Sequence, residues 1–187
     1  MTAPSLDTDT IVGTLGEAVP GVVLERVESR DAHATLVAAP ADVPALARTL
    51  HDRADLAFEF LAELTAVDYW PREPRFDVVY ILVSIAHGAR LRLKVRVGGD
   101  RPVVGTVHDI WPAANWLERE VWDLFGIDFT GHPDLRRLLT PEDWEGHPLR
   151  KDYPVQIRKP ASASEPLQVT EAEFRANLEK DRRARQS

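Results

Sequence analysis

The sequence predicts an α+β protein in which helices pack on a small mixed or antiparallel sheet. An extended proline-rich arm and a C-terminal tail helix are expected to follow this core. Two consecutive β-rich stretches lie near position 85, and apolar residues recur at helical spacing on both sides of them. Four prolines then interrupt the chain between residues 129 and 154. We therefore predict a core domain over 1–128, a partner-binding arm over 129–157, and a linker with a charged tail over 158–187.

The predicted strands are short and rich in branched side chains. Residues 22–27 and 33–38 flank a polar turn, which is typical of two short strands. Residues 76–84 are almost continuously apolar, as in a strand buried on both faces. Residues 90–97 alternate between aliphatic and cationic side chains and therefore predict one core face and one cationic face. The pair Val103-Val104 is expected to join a sheet briefly.

The predicted helices follow from apolar spacing and from end signals. Residues 9–17 form at most a short helix, and residues 42–53 and 56–66 are predicted to form two further helices. Residues 112–125 have one apolar stripe, with a proline suited to the first turn. Gly126 follows them and is suited to the left-handed conformation that ends many helices.

Two related triplets mark the predicted arm. Gly131-His132-Pro133 precedes Arg136-Arg137, and Gly146-His147-Pro148 precedes Arg150-Lys151, fifteen residues further on. Prolines exclude one long helix or a central strand here, yet the stretch is rich in Leu, Trp and Tyr. We therefore expect an extended segment that neighbouring proteins bury.

Composition limits the classes of function. The chain has no cysteine, which excludes disulfides and thiolate ligation of iron–sulfur clusters. Residues 1–70 carry 4 Lys+Arg against 12 Asp+Glu, and residues 71–187 carry 19 against 18. This acidic first half argues against a nucleic-acid platform. The longest mainly apolar run is too short for a membrane span, and we predict no signal peptide at the N-terminus.

The helix at 112–125 is not expected to carry a catalytic pair. Glu118 and Glu120 are separated by about 200° of helical rotation, so they do not flank one scissile bond. Arg119 and Asp123 lie four residues apart, and we expect them to pair on the exposed face. Three tryptophans of this region are either core residues or interface anchors, and the arginines nearby favour the second interpretation: Trp111, Trp116 and Trp122.

Other candidate sites are better explained by structural roles. His132 and His147 each precede a proline and have no further metal ligand at a suitable spacing, so hydrogen bonding or packing is favoured over metal binding. The clusters Arg136-Arg137 and Arg150-Lys151 are better suited to protein–protein ion pairs than to phosphate, because acidic residues lie between them. Neither a nucleophile elbow nor a glycine-rich phosphate loop occurs in the sequence. The residues alone therefore predict a domain with a partner-binding arm and without an active site.

Several motifs carry a resemblance to a known family. The sequence resembles the C subunit, or 30 kDa-type subunit, of the proton-pumping NADH:quinone oxidoreductase, which is respiratory complex I. The resemblance spans about residues 50–154, although Trp122 stands where Tyr or Phe is common and the tail after residue 155 matches no pattern of the family. The motifs lie at 64–69 (LTAVDY), 75–80 (RFDVVY), 111–116 (WPAANW), 118–127 (EREVWDLFGI), 131–137 (GHPDLRR) and 146–154 (GHPLRKDYP).

The resemblance implies a cofactor-free, hydrophilic subunit of the peripheral arm of the complex. Such a subunit binds the large subunit that helps form the quinone site and the neighbouring iron–sulfur subunits, and it is bound to the cytoplasmic face of the bacterial cell membrane only through the complex. FMN and iron–sulfur clusters are expected in partner subunits, and no catalytic, cofactor or metal residue is expected here. We predict the partner interface on Trp116, Glu118, Arg119, Asp123, His132, Asp134, Arg136, Arg137, Trp144, His147, Arg150, Lys151, Asp152 and Tyr153.

Three alternatives remain open at this point. The first is the equivalent subunit of a related membrane-bound hydrogenase, coenzyme F420 dehydrogenase or ferredoxin–quinone reductase complex. The second, from a different class, is a free-standing hydrolase, and the third is a generic adaptor. Turnover by the purified chain indicates a hydrolase, whereas a monomer without affinity for a large redox subunit indicates an adaptor.

Overall fold

The computed structural model describes residues 6–31 and 33–154. The predicted tail helix and the linker before it lie outside these residues, as do the last residues of the predicted arm. Within the described part, the predicted α+β class and the sheet with helices packed on it are confirmed, and the sheet is of the mixed kind.

Five strands form the main sheet. They are β1 (Glu25–Arg26), β2 (Ala34–Ala38), β3 (Phe60–Asp68), β4 (Phe76–Ser84) and β5 (Ala89–Val97). Their order across the sheet is β1-β2-β5-β4-β3, and β2 and β5 are the only parallel neighbours among these described strands. The predicted strands at 76–84 and 90–97 are therefore confirmed as the antiparallel centre of the sheet.

The predicted cationic face of β5 is largely neutralised by this chain. Arg92 and Arg96 form ion pairs with acidic residues near β1, at 2.5 Å from Asp31 and 2.8 Å from Glu25. Arginine and lysine side chains also cover apolar surface with their aliphatic stems. This face of the sheet therefore offers little free charge to a polyanion.

Helices cover the opposite face of the sheet. They are α1 (Thr8–Ala18), α2 (Val43–Asp52), which follows a 3-10 turn at Pro40–Asp42, and α3 (Ala114–Phe125). Alternate strand residues point toward these helices and form one apolar core with them, because successive strand side chains point to opposite faces. The predicted helices at 9–17, 42–53 and 112–125 are confirmed.

The predicted helix at 56–66 is wrong, because most of this stretch is strand β3. An irregularity between Leu61 and Glu63 shifts the register of β3 against β4. Leu61 and Leu64 consequently both face the core although they lie three residues apart, which is also the spacing of one helix face. Pairing with the buried strand β4 supplies backbone hydrogen bonds along the whole length of β3.

A second, two-stranded sheet flanks helix α3. Its strands β6 (Val103–Gly105) and β7 (Asp128–Thr130) run parallel, and α3 forms the connection between them. The brief pairing predicted at Val103-Val104 is confirmed, with β7 as the partner. Gly126 ends α3 at φ 70°, a left-handed conformation that is accessible to glycine at low cost.

Candidate functional site

The candidate site consists of helix α3 and the stretch after β7, named here the 131–154 segment. The segment contains turns and bends without a helix or strand, and its polar groups bond repeatedly to α3 and to the end of β3. Most of the residues expected at a partner interface are thereby brought close together. Many of them are held by groups of this chain.

Asp123 of α3 is the principal anchor of the segment. Its carboxylate is fully buried and accepts hydrogen bonds from the backbone N–H groups of Leu138, Leu139 and Thr140, at 2.8–3.0 Å. The Thr140 hydroxyl donates to it at 2.5 Å, and Arg137 at 2.8 Å. Burial raises the pKa of Asp123, but bonds from Thr140, Arg137 and the backbone outweigh it and keep the pKa well below its usual value. The anion is therefore fully satisfied within this chain.

Arg137 connects helix α3 to the second triplet. Its guanidinium donates to Asp123 and also to the carbonyl oxygens of Trp144 (2.6 Å) and Gly146 (3.1 Å). It lies 5.7 Å from the ring centre of Trp122. A planar guanidinium with five N–H donors can satisfy several acceptors at once, as it does here.

Arg119 and Asp123 do not pair on an exposed helix face, so this expectation is wrong. Both side chains are buried. Arg119 instead donates to the carbonyl oxygens of Arg136 (3.3 Å) and Arg137 (3.2 Å) and lies 4.9 Å from the ring centre of Trp116. The 131–154 segment covers this side of α3. Arg119 and Asp123 therefore bond to groups of the segment and not to each other.

The two histidines hold the triplets against α3. Nε2 of His132 lies 3.0 Å from the carbonyl oxygen of Asn115, and Nδ1 accepts from the Asp134 backbone N–H. Nδ1 of His147 lies 2.9 Å from the carbonyl oxygen of Asp123. A Cβ atom added to Gly126 would lie 2.5 Å from the His147 ring, so only glycine admits this close approach. These contacts are of the hydrogen-bonding and packing kind that the sequence favoured for the two histidines.

A second anchor lies at the end of the segment. Arg75 donates to both carboxylate oxygens of Asp68 and to both of Asp152, at 2.6–2.9 Å. Asp68 also accepts from the backbone N–H of Lys151 at 2.8 Å. Burial raises the pKa of Asp68, but bonds from Arg75 and two backbone N–H groups hold the pKa at about 2. Among the residues of this anchor, Asp152 and Lys151 belong to the predicted interface, whereas Asp68 and Arg75 do not.

Only an indirect indication in the sequence pointed to Asp68 and Arg75 as residues of the site. Both occur in the stretches 64–69 and 75–80 that carry the family resemblance. Neither has a local pattern that indicates a partner 77 or 83 residues away in the chain. Their role becomes visible only when β3, β4 and the segment meet.

Arg150 and Tyr153 complete the packing of the segment. The Arg150 guanidinium lies 5.3 Å from the ring centre of Phe76. The Tyr153 hydroxyl donates to the carbonyl oxygen of Glu145 at 3.1 Å, and its ring approaches Gly146 closely. These two members of the predicted interface are thus engaged in contacts within this chain.

The outer side of the site is apolar and cationic. Trp116, Leu139 and Leu149 are 59%, 61% and 52% exposed, although each is a large apolar residue. Arg136 is exposed and pairs with Asp134 at 2.9 Å, and Lys151 is exposed as well. Exposed large side chains of this kind, tryptophan above all, are candidates for contact with another protein.

The remaining carboxylates of α3 lie in different surroundings. Glu118 is fully buried on the core side, where it bonds to Thr106 and Val107, and Glu120 is half-buried. Over residues 6–31 and 33–154, no cluster of three His, Asp or Glu side chains is placed to hold a metal ion. The same ranges include no helix long and apolar enough to cross a membrane.

Comparison with known proteins places the whole site inside one family. The family described as "Respiratory-chain NADH dehydrogenase, 30 Kd subunit" matches residues 36–159. The C subunit of the NADH-quinone oxidoreductase of Roseiflexus sp. (strain RS-1) is 48% identical over 151 residues, covering 81% of this chain and 86% of the relative. The C subunit of the Methylobacterium radiotolerans enzyme is 44% identical over 175 residues, covering 89% of this chain and 78% of the relative.

Solved structures agree with this placement. A trypsin-resistant fragment (1-134) of Nqo5 is 37% identical, with a TM-score of 0.55 over 67% of this chain and 98% of the fragment. A chain of the membrane-bound sulfane sulfur reductase, an archaeal respiratory membrane complex, is 28% identical. Its TM-score is 0.65, over 79% of this chain and 85% of the reductase chain. The protein described here therefore belongs to the family of the 30 kDa subunit of the respiratory-chain NADH dehydrogenase.

Proposed function

We propose that this chain is a structural subunit of the peripheral arm of a proton-translocating NADH:quinone oxidoreductase and has no active site of its own. Membership of the 30 kDa subunit family supports the assignment to this complex. The charged side chains of the site support a structural role. Asp123, Arg137, Asp68 and Arg75 form the hydrogen bonds and ion pairs that hold the 131–154 segment against the core.

The observation that supports a partner-binding role is the exposure of large apolar side chains at the site. Leu139 and Leu149 are more than half exposed on the 131–154 segment, which the chain otherwise fixes with many hydrogen bonds, and Trp116 is more than half exposed on α3. A surface held rigid before binding loses less conformational freedom on association. Exposed tryptophan with neighbouring arginine is also the composition enriched among residues that dominate binding energy.

The partner that fits this proposal is the large quinone-site subunit, together with neighbouring iron–sulfur subunits of the peripheral arm. FMN and iron–sulfur clusters would be bound by those partners, with no cofactor in this chain. Membrane association on the cytoplasmic face of a bacterial membrane would then arise only through the complex.

Co-purification with matched variants tests the proposal. The tagged full-length chain, isolated from solubilised membranes, is expected to bring a large redox subunit with flavin and iron–sulfur spectra. Leu139→Asp is expected to reduce the recovered complex and the NADH:quinone activity together, because it places a charge in the apolar contact. Val23→Asp is the control, since Val23 is also largely exposed but precedes β1 at the opposite edge of the sheet from β3. Normal assembly with lost turnover in Leu139→Asp would contradict a purely structural role.

A related redox complex is the second candidate, and one observation favours considering it. The fold also resembles a chain of the membrane-bound sulfane sulfur reductase. The co-purified cofactors separate the two assignments: FMN with NADH oxidation supports the NADH dehydrogenase. Recovery of a redox complex that does not oxidise NADH would support a relative.

A further inference from the structure

Glu118 is a buried carboxyl group whose hydrogen bonds, among the described residues, come from Thr106 and Val107 and not from the 131–154 segment. Its side chain is fully buried between α3 and the loop that follows β6. It accepts from the Val107 backbone N–H at 2.8 Å and from the Thr106 hydroxyl at 2.5 Å. Burial raises the pKa of Glu118 to about 7, although the bonds from Thr106 and Val107 act in the opposite direction.

A continuous row of hydrogen-bonding atoms connects this carboxyl group to the surface. Thr106 Oγ1 lies 3.1 Å from Nδ1 of His108, and Nε2 of His108 lies 2.8 Å from an oxygen of Asp109. The His108 side chain is 21% exposed and that of Asp109 is 72% exposed. Each separation along the row is within the range over which protons are transferred between side chains.

The donors and acceptors in the row fix the direction of transfer. Because the Thr106 hydroxyl donates to Glu118, Thr106 Oγ1 accepts from Nδ1–H of a neutral His108, which leaves Nε2 as the acceptor toward Asp109. When the exposed Asp109 carboxylate takes a proton from solvent, one concerted shift moves that proton to Nε2, the Nδ1 proton to Thr106 and the Thr106 proton to Glu118. Asp109 is again a carboxylate, His108 stays neutral with its proton on Nε2, and Glu118 becomes a neutral acid, so one proton is transferred in total.

Two further titratable groups face Glu118, and neither replaces this route. Nε2 of His132 lies 4.0 Å from a carboxylate oxygen of Glu118. Nδ1 of His132 accepts from the Asp134 backbone N–H, so Nε2–H donates to the Asn115 carbonyl oxygen. Both of its ring nitrogens are thereby occupied. Tyr80 is a buried residue of β4, and burial and then the Glu118 charge raise the pKa of its hydroxyl. This hydroxyl is buried without a hydrogen-bond partner among the described residues.

We propose that Glu118 is a proton-exchange site, which receives protons from solvent through Asp109, His108 and Thr106, and whose protonation loosens the loop between β6 and α3. A carboxylate is a stronger acceptor than a neutral carboxylic acid. Protonation of Glu118 therefore weakens the hydrogen bond from Val107. The joint between β6 and α3 thus responds to pH independently of the subunit's partners.

Equilibrium titration of the full-length chain tests the site itself. Side-chain carboxyl carbons are followed by NMR, with Glu118→Gln used to assign the Glu118 signal and Glu120→Gln as the control on the same helix. The expected midpoint is about 7 for Glu118, and the signal is absent only in Glu118→Gln. Protection of the Val107 amide from hydrogen exchange, corrected for intrinsic rate, should fall as Glu118 is protonated. A midpoint below pH 5, or equal protection in both states, would overturn the proposal.

The route is tested by kinetics. After a rapid pH jump, the infrared band of the Glu118 carboxyl group reports how fast the proton arrives. His108→Gln is expected to slow this step by about tenfold or more, and Thr106→Val should slow it similarly. Thr106→Ser keeps the hydroxyl and should restore the rate, whereas His33→Gln, near β2, is the unaffected control. An unchanged rate in His108→Gln, with the fold intact by circular dichroism, would refute this route.

Discussion

Asp123 and Arg137 form an ion pair beneath the 131–154 segment, with Oδ1 and Nη1 2.8 Å apart and the carboxylate fully buried. The same carboxylate accepts three successive backbone N–H groups. One residue of the helix thus fixes both a side chain and a turn of the segment. This relationship explains why a proline-rich stretch without a helix or strand is held in one conformation.

Asp123→Asn should therefore destabilise the chain. The change leaves the Arg137 cation buried without its counter-charge, and such losses cost about 3–5 kcal/mol. Urea unfolding of the purified chain measures this difference, and limited proteolysis should show earlier cleavage at Arg136 or Arg137. Asp128→Asn, at an exposed position of β7, is the matched control. A loss below about 0.5 kcal/mol would contradict the anchoring role.

Gly126→Ala should be destabilising for two separable reasons. The left-handed backbone conformation costs a residue with a Cβ about 1–2 kcal/mol, and the added carbon would meet the His147 ring. In a His147→Ala background only the first cost should remain, which a double-mutant cycle measures. Gly13→Ala is the control: its Cβ meets nothing within 4 Å, and alanine in a helix should stabilise by about 0.5–1 kcal/mol. Equal costs for Gly126→Ala in both backgrounds would argue against the contact with His147.

Acid should weaken the anchor at Asp68 over a defined pH range. The folded-state pKa of about 2 lies below the ordinary value of 3.8. The stabilisation by Asp68 is therefore fully present above pH 4 and is lost as the pH falls through 2. Asp68→Asn should reduce the free energy of unfolding by about 2 kcal/mol at pH 7 and by almost nothing near pH 2. Denaturant unfolding at both pH values checks this, and a difference independent of pH would exclude the titration of Asp68 as its cause.

Arg136 and Arg137 should have different mutant phenotypes although they are adjacent. Arg136 is exposed and pairs only with the exposed Asp134 among the described residues, so Arg136→Ala should hardly change the stability of the isolated chain. If it contacts the partner subunit, the assembled complex should nevertheless decrease, with normal activity per complex. Arg137→Ala should reduce both stability and assembly, because its guanidinium is used inside the chain. Unfolding and co-purification of the same two variants distinguish these outcomes, and similar destabilisation by both would contradict the assignment.

The elements that were predicted correctly have local signals. Helix α3 and its end at Gly126 follow from apolar spacing and a terminal glycine, and β5 follows from strict alternation. Strand β3 was missed because its irregularity at Leu61 and Glu63 removes the alternation and leaves a helix-like spacing. Residues 60–68 form a strand because they pair with β4. This long-range pairing leaves no pattern within the sequence of β3 itself.

The sequence by itself determined the α+β class, the family, and the concentration of candidate interface residues between 111 and 154. These properties depend on local periodicity and on motifs that are read along the chain. Only the tertiary structure decided which charges are free to meet a partner and which are used internally. Arg137, Arg119 and Asp123 became internal because the segment folds back on α3, and Asp68 became an anchor through a contact 83 residues away in the chain. Burial and pairing depend on such long-range contacts, whereas residue type and spacing do not.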